Sequence, residues 1–223
     1  MDVVRLEEIA EKSEVLLGVT IQSDLKWSKQ IIELTLKLKK RLAGLNKLRF
    51  LVDFPTRKMI VQGVFNSVLC YCLPLFGGCS TGEVQALQVQ QNQAAQMVLR
   101  LPPRTRRSLM YNKLNWLTVN QLIAYHTLIA VYRVRKSREP EYLAVSMCRD
   151  NKQGNIVMKK TELGLYRNSF VFRGSLTWNK IPDTLRTHKK ISRFKTGLKE
   201  WVAEKYLFLV FHCCLYDNTL SSP

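Results

Sequence analysis

Acidic side chains are scarce in this chain of 223 residues, which has 17 aspartates and glutamates against 35 lysines and arginines. A two-metal polymerase or nuclease site needs carboxylates that converge on both ions. Only Glu7 and Glu8 stand side by side, and neighbouring side chains of a strand point to opposite faces of the sheet. We therefore predict no catalytic residue in this sequence.

Histidine and cysteine are also poorly placed for a metal site. The three histidines and six cysteines are His126, His188, His212, Cys70, Cys72, Cys79, Cys148, Cys213 and Cys214. These spacings give no two Cys-x-x-Cys pairs, so we predict no metal ligand, and free thiols in a reducing compartment. No second ligand lies three or four positions from His126, which we expect to be a satisfied core or boundary residue.

Glycine-rich motifs and long apolar runs are missing too. Gly77 and Gly78 lack the spacing of a phosphate-binding loop, and no nucleophile elbow or His-Glu-x-x-His helix occurs. The first residues have neither the basic nor the apolar part of a secretory signal. Polar residues and a proline interrupt the charge-free stretch 59–79, and the apolar run 206–211 is short. We expect a nuclear or cytoplasmic protein without a membrane span.

Positive charge is what the chain has in excess. The formal net charge is +18, and the sequence pI is about 9.9. Clustered lysines and arginines bind polyanions by releasing condensed counterions, so nucleic acid is the first partner to consider and an anionic membrane surface is the second. A hydrophobic content of 46% predicts that the chain folds.

The hydrophobic pattern predicts a mainly α-helical protein with a β-hairpin at its start. The hairpin is expected from strands at Val3–Ile9 and Glu14–Gln22, separated by Ala10–Ser13. Apolar spacings of three and four residues predict helices that begin near Lys29, Phe54, Thr81, Thr118 and Ser192 and end near Phe50, Pro74–Gly78, Leu101, Arg138 and Glu204. Ser28, Thr81 and Thr118 are the expected N-caps. The second of these helices is apolar around most of its circumference, which predicts burial in the core.

Two later segments favour a short β element. Asn155–Lys159 is a strand candidate within a polar loop. In Leu165–Arg186, aromatic residues alternate with cations, which suits either base stacking with phosphate contacts or a strand with Phe170 and Phe172 on its core face.

The first predicted helix has an apolar stripe and a cationic side. Trp27, Ile31, Leu34, Leu38, Leu42, Leu45 and Leu48 form the stripe. Candidate nucleic-acid-binding residues on this helix are Lys29, Lys37, Lys40, Arg41 and Lys47. Arg104, Arg106 and Arg107 follow two prolines in a loop, and Arg167 and Arg173 lie among the later aromatics. A solvated helix face and a solubilising loop are the alternative interpretations.

Four stretches of the sequence, in order, resemble reverse transcriptases of non-LTR retrotransposons, especially the jockey-like group. The first is Leu17-Gly18-Val19 with Asp24-Leu25-Lys26-Trp27. The second is Tyr71–Cys79 with Leu87, Gln90, Gln91, Asn92, Ala94 and Ala95, and the third is Leu114–Leu117 with Pro140–Leu143. The last comprises Arg167, Phe170, Arg173, Gly174, Trp178, Asn179, Ile181 and Pro182. The match covers about Val15 to Lys205, although Phe76 and Gln96 replace the family's tryptophan and arginine.

The resemblance implies a division of the chain. Residues 1–27 would be the end of a polymerase palm, with Leu17, Gly18 and Val19 near the primer grip. Residues 28–78 would be a helical thumb, residues 79–205 a helical C-terminal region and residues 206–223 a divergent hydrophobic tail. The family's paired catalytic aspartates and their Mg²⁺ would belong upstream of Met1, so we expect no cofactor in this chain.

These observations leave three hypotheses about function. The first is a transposable-element fragment of an RNA-directed DNA polymerase that lacks the catalytic palm and still binds RNA, DNA or their hybrid as template–primer. The second is a helical protein-interaction module with solvated basic faces. The third is a non-functional remnant whose hairpin has lost the sheet that it pairs with.

Overall fold

The protein is mainly α-helical, with a two-stranded antiparallel hairpin at the start of the described chain. The computed structural model describes residues 13–158 and 163–215, and only the backbone of 205–215. The elements are β1 Ser13–Leu16, β2 Val19–Gln22, α1 Ser28–Asn46, α2 Phe54–Val61, α3 Ser67–Leu69, α4 Thr81–Leu99, α5 Arg107–Leu114, α6 Val119–Ser137, α7 Glu141–Met147, α8 Gly164–Arg167, α9 Phe170–Trp178, α10 Asp183–Arg186 and α11 Ile191–Leu215.

The hairpin is shorter than the sequence predicts. β1 pairs with β2 from Ser13 opposite Gln22 to Leu16 opposite Val19. Leu17 and Gly18 form the turn with φ of 50° and 78°, the conformation that a tight two-residue hairpin loop requires. The prediction of one strand over Glu14–Gln22 is therefore wrong, because this turn folds the segment onto itself. The predicted partner strand at residues 3–9 lies outside the described residues.

The apolar stripe of α1 is confirmed. Ile31, Leu34, Leu38, Leu42 and Leu45 are buried, because their spacing places them on one side of a helix. The helix ends at Asn46 rather than Phe50, and Ser28 is its first residue rather than its N-cap. The Ser28 hydroxyl instead donates a hydrogen bond to Gln22 Oε1 at 3.2 Å.

The second predicted helix is a composite of several helical turns. A π-turn at Gln62–Asn66 joins α2 to α3, and a 3-10 turn at Leu73–Gly78 follows α3. Only one of its two apolar stripes is buried, as represented by Phe65 and Leu69, whereas Val64, Tyr71 and Leu75 are exposed. Burial is less complete than predicted: the run packs against α1 and α4, and its 3-10 turn packs against α6 and α9, but one side remains exposed.

Two helix N-termini show how capping sets the boundaries. The N-cap of α4 is Ser80, not Thr81, since the Ser80 Oγ accepts from the Glu83 N–H while the Glu83 carboxylate accepts from the Ser80 N–H. Thr118 caps α6 as predicted, in the same arrangement with Gln121. The sequence did not predict α5, which lies between these two helices.

The prediction of a later β element is wrong in detail. The strand candidate at Asn155–Lys159 is a single bridge, between Asp150 and Ile156, within the part that the structure describes. Helix α9 occupies the aromatic segment, because Ser169 caps it by accepting from the Phe172 N–H. The last helix runs to Leu215, beyond the predicted end at Glu204. Among the described residues, no helix combines the length and apolarity needed to cross a bilayer.

Two hydrophobic cores meet along α6. The first core contains the buried faces of α1 to α5 and the beginning of α6. The second is built from the rest of α6, α7, α9, α10 and α11. Because α4 packs against α1, the first core continues across the expected division after residue 78. The division into palm, thumb, C-terminal region and tail stays a prediction.

Candidate nucleic-acid interface

The lysines of α1 form a cationic face opposite its buried stripe. At 3.6 residues per turn, Lys29, Lys40 and Lys47 lie within about 20° of the direction opposite Leu38. Lys37 lies about 80° from this direction, at the border of the face, and Lys47 is the C-cap residue directly after Asn46. All four lysines are exposed. Lys29 and Lys40 are separated by roughly 16 Å along the axis at 1.5 Å per residue. This set of four lysines is called the α1 face below.

Carboxylates do not neutralise the α1 face. Glu33 is the acidic residue of α1, and its Oε2 accepts a hydrogen bond from the Thr20 hydroxyl at 2.6 Å. Ion pairs among the described residues are Lys26–Asp24, Arg135–Asp150 and Arg186–Asp183, and none includes a lysine of the α1 face. The Lys29 ammonium donates to the Ser13 hydroxyl at 2.5 Å. The other three ammonium groups of the face are therefore available to an anion.

Arg41 was predicted with these lysines but also contributes to packing. Its Nη1 donates to the Val64 carbonyl oxygen at 2.7 Å. The bond ties α1 to the π-turn, which already packs against this helix. Arg41 is exposed, so its charge still adds to the field of the α1 face.

Three arginines outside the predicted binding set converge near the ends of α1 and α4. Arg57 is 4% exposed and donates to the carbonyl oxygens of Val98, Arg49 and Val52 at 2.7, 3.2 and 2.7 Å. Arg100 donates to the carbonyls of Arg49 and Val52, and Arg49 donates to Leu101. Arg49, Arg57 and Arg100 are called the guanidinium cluster below.

The guanidinium cluster satisfies carbonyl oxygens of the segment after α1 and of the end of α4. Burial lowers the pKa of Arg57, and the nearby Arg100 and Arg49 lower it further while Asp53 opposes them. The guanidinium groups of Arg49 and Arg100 also lie 5.3 and 5.4 Å from the ring centre of Phe50. Four bonds of the cluster join residues 41 to 52 positions apart, so local pattern gave no signal for it.

The arginine loop adjoins this end of α1. Arg104, Arg106 and Arg107 are exposed, but only Arg104 and Arg106 belong to the predicted loop, because α5 begins at Arg107. The hydrogen bond from Arg49 to the Leu101 carbonyl holds the beginning of the loop next to the segment that follows Lys47. The start of the arginine loop is therefore close to the C-terminal end of α1.

The other predicted binding arginines belong to the second core. Arg167 ends α8, and Arg173 lies on α9. Both are half-buried, and α9 packs against α6, α7 and the 3-10 turn. A Cβ at Gly77 would lie 3.2 Å from Arg173 Nε, so this side chain passes directly over the glycine. The structure does not place either arginine in the α1 face.

The residues likened to a primer grip form the hairpin turn. Leu17 is 82% exposed, and its carbonyl oxygen accepts from the Tyr71 hydroxyl at 2.6 Å. Val19 is buried against α1, whereas Gly18 supplies the positive φ of the turn. Gly18 and Val19 therefore have a structural role in the hairpin. The side chain of Leu17 is exposed and is available to a partner.

The glutamine-rich stretch of α4 is a buried polar network. Gln88 Nε2 donates to the Tyr111 hydroxyl at 2.6 Å, and that hydroxyl donates to Gln91 Oε1 at 2.9 Å. Gln91 Nε2 then donates to the Leu117 carbonyl. These bonds hold α4, α5 and the start of α6 together, which gives part of the family-like motif a structural role.

Cysteine and histidine chemistry is modest in the described part of the chain. Cys70, Cys72, Cys79 and Cys148 are free thiols, and burial raises the pKa of Cys70 to about 11 and that of Cys79 to about 12. No group of three or more potential ligands is placed to hold a metal ion among the described residues. The residues present thus do not fit the Mg²⁺ site that the resemblance places in a palm.

His126 is a boundary residue, one of the two placements that the sequence predicts. Its ring contacts Tyr125 edge-on with 5.4 Å between ring centres. It makes no hydrogen bond to the residues that the structure describes, although it is only half-exposed. His126 therefore retains both ring nitrogens for a ligand.

Comparison with known proteins does not place the chain in a family, since no family model, curated protein or solved structure matches it.

Proposed function

We propose that this chain is the thumb and downstream region of a non-LTR retrotransposon reverse transcriptase and binds template–primer nucleic acid through phosphate contacts. The observation that supports this proposal most is the α1 face. Lys37, Lys40 and Lys47 are exposed on one side of one helix and have no ion-pair partner among the described residues. The order of the family-like sequence stretches supports the polymerase origin.

The chemistry of the α1 face suits a backbone rather than a base sequence. An ammonium group on a flexible stem donates to phosphate oxygens in many orientations. Phosphate contacts fix the position of a nucleic acid but carry no direct sequence information. We therefore expect binding of RNA, DNA or their hybrid with little sequence preference.

The guanidinium cluster makes the end of α1 more favourable for phosphates. Helix C-termini carry partial negative charge, which repels anions. Arg57 donates to the Val98 carbonyl in the last turn of α4, and Arg49 and Arg100 donate to carbonyls of the segments just beyond the two helices. The cluster offsets the repulsion next to Lys47 and the arginine loop, so template or primer phosphates can pass along this end.

No polymerisation is expected from the chain by itself. Nucleotidyl transfer of the two-metal type depends on ions that stabilise the attacking and leaving oxygens. The sequence lacks the family's paired aspartates. The purified protein should bind a primed template without extending the primer, and extension under these conditions would contradict the proposal.

Salt-dependent binding tests the proposed interface. Fluorescence anisotropy with two RNA·DNA hybrids of unrelated sequence is measured from 50 to 200 mM salt. The logarithm of the association constant should fall with the logarithm of salt concentration at a slope of roughly −3 to −6, corresponding to about four to six phosphate contacts. The two hybrids should agree within about twofold, because phosphate contacts do not read sequence. A slope near zero would refute phosphate binding.

A protein-interaction module is the second candidate. Its support is the exposed apolar edge of the hairpin, where Val15 is 70% and Leu16 is 61% exposed. Such a strand edge can pair with a strand of another chain. Nucleic-acid affinity that does not change with salt would favour this candidate over the first.

A further inference from the structure

A second cationic site lies between α6 and α11, outside the α1 face. It is an open cleft of about 570 Å³ with Tyr125, His126 and Arg133 on α6 and Lys195 on α11. Ile129 follows Tyr125 by four residues, and Arg133 follows His126 by seven. These spacings put the four side chains along one side of α6. None of the described residues that line this cleft is acidic.

The cations of the cleft are not neutralised by the protein. Arg133 is exposed and Lys195 half-exposed, and neither forms an ion pair with a described residue. Arg135, two positions further along α6, is bound by Asp150 on both of its terminal nitrogens. An anion in the cleft would therefore meet two available cations without displacing an internal partner.

His126 adds a polar group that has no partner among the described residues. Burial lowers the pKa of His126, and the charge of Lys195 lowers it further. The imidazole is thus neutral near pH 7, with one N–H donor and one acceptor nitrogen. The ring is half-exposed, so this N–H is accessible at the cleft surface and can be donated to a bound anion.

The remaining walls of the cleft are apolar. Pro74, Ile129 and Ala130 contribute carbon atoms, and Tyr125 contributes an aromatic ring. The volume lies within the range of small-molecule sites, roughly 300–1,000 Å³. The fitting ligand has a flat, weakly polar part and an anionic part, which is the chemistry of a nucleotide.

We propose that this cleft binds one unpaired nucleotide of a single strand, with its phosphate held by Arg133, Lys195 and His126 and its base against Tyr125 and the apolar wall. The site is new relative to the α1 face, and only the identification of its occupant as part of a nucleic-acid strand rests on the proposed function. Single-stranded sites commonly combine cations with aromatic contacts in this way.

Binding of AMP to the full chain tests the cleft. The imidazole Cε1–H resonance of His126, assigned by its loss in His126→Gln, is followed by NMR at pH 7 and constant ionic strength. AMP should shift this resonance to saturation, and inorganic phosphate and adenosine should each bind about tenfold more weakly. A shift that does not saturate, or phosphate as effective as AMP, would overturn the proposal, because the base would then contribute nothing.

Charge removal gives the matched control. Lys195→Ala and Arg133→Ala should each weaken AMP binding about tenfold, because each removes a charge-assisted contact. Lys113→Ala removes an exposed charge from α5, outside the cleft, and should stay within about twofold of wild type. Unchanged affinity in both cleft variants would overturn the proposal. No duplex is present, so failure of the α1 face to bind template–primer would leave these readouts unaffected.

Discussion

The two cores use their cations differently. In the first core, α1 packs with a stripe of leucines and directs lysines into solvent. In the second core, Tyr132 and Phe194 stack with 4.3 Å between ring centres, and Trp178 packs beside them. There Arg135 lies 5.1 Å from the ring centre of Trp178 and forms a two-nitrogen pair with Asp150. Part of the positive charge around the second core is thus paired within the folded protein.

The difference teaches that the residue type and its partners matter more than the density of positive charge. Arginine presents a planar fork of donors that suits carbonyls and carboxylates, whereas lysine carries a compact charge on a flexible stem. Accordingly, Arg57 and Arg135 are bound within the protein, and Lys40 is not. The excess of cations in the sequence therefore includes arginines that stabilise the fold and lysines that remain available to bind an anion.

The strongest effect should follow from breaking the guanidinium cluster. Arg57→Met leaves the carbonyls of Arg49, Val52 and Val98 without this donor, so the free energy of unfolding should fall by about 3 kcal/mol. Urea denaturation measures the loss. Lys40→Met, on the solvent side of α1, should change the same quantity by less than about 0.5 kcal/mol. Equal losses of unfolding free energy in the two variants would contradict the distinction between structural arginines and available lysines.

A smaller contrast is expected between two arginines of α6. Arg135→Ala removes the pair with Asp150, the contact with Trp178 and a bond to the Met147 carbonyl. Its cost should be about 2 kcal/mol, since the pair is partly exposed. Arg133→Ala should cost less than about 0.5 kcal/mol. Thermal unfolding of both variants distinguishes them, and a larger loss in Arg133→Ala would reverse our assignment.

The capping interpretation of α4 gives a third contrast, at neighbouring positions. Ser80→Ala should lower the free energy of unfolding by about 1 kcal/mol, because the Glu83 N–H loses its acceptor. Thr81→Ala should lie within about 0.5 kcal/mol of wild type. Chemical denaturation provides both values, and a greater cost at Thr81 would show that the helix begins one residue later.

The smallest effect concerns pH. His126 has a lowered pKa in the folded chain, whereas an unfolded histidine titrates near pH 6.5. Below about pH 6.5 the unfolded chain therefore takes up a proton that the folded chain resists, and stability falls as pH decreases. The groups facing His126 are Tyr125 and Arg133 on α6 and Lys195 on α11, with Lys199 and Glu200 in an adjoining depression.

His126→Gln tests this dependence because glutamine does not titrate. The difference in melting temperature between pH 7.5 and pH 5.5 should be smaller in the variant than in wild type. An identical difference in the two proteins would mean that His126 titrates alike in the folded and unfolded chain.

The sequence predicted features that one element determines locally. The stripe of α1 follows from spacing alone, because Ile31, Leu38 and Leu45 must share a side of any helix. Thr118 was predicted as an N-cap from its residue type before an apolar helical pattern, and the structure adds its partner Gln121, three residues along. The same rule applied to Ser80 and Glu83 would have placed the start of α4 correctly.

Features that depend on distant contacts were not predictable. The acceptors of Arg57 include a carbonyl 41 residues away, at Val98, so its burial has no local signal. Alternation of Phe170 and Phe172 suggested a strand, yet the Ser169 cap and packing against α6 favour a helix. Likewise, the available cations of the cleft come from α6 and α11, about 60 residues apart in sequence, and only folding brings them together.

The central claim is that the lysines of the α1 face, rather than positive charge in general, bind template–primer. Its most direct test compares two triple variants in salt-titrated binding of an RNA·DNA hybrid. The first variant carries Lys37→Gln, Lys40→Gln and Lys47→Gln. The control carries Lys180→Gln, Lys189→Gln and Lys190→Gln, at three exposed positions outside the α1 face. The first should reduce the magnitude of the salt slope by about 2 to 3, and the control by less than about 0.5, because each lost phosphate contact removes about 0.9. Equal reductions in both variants, or none in either, would contradict the claim.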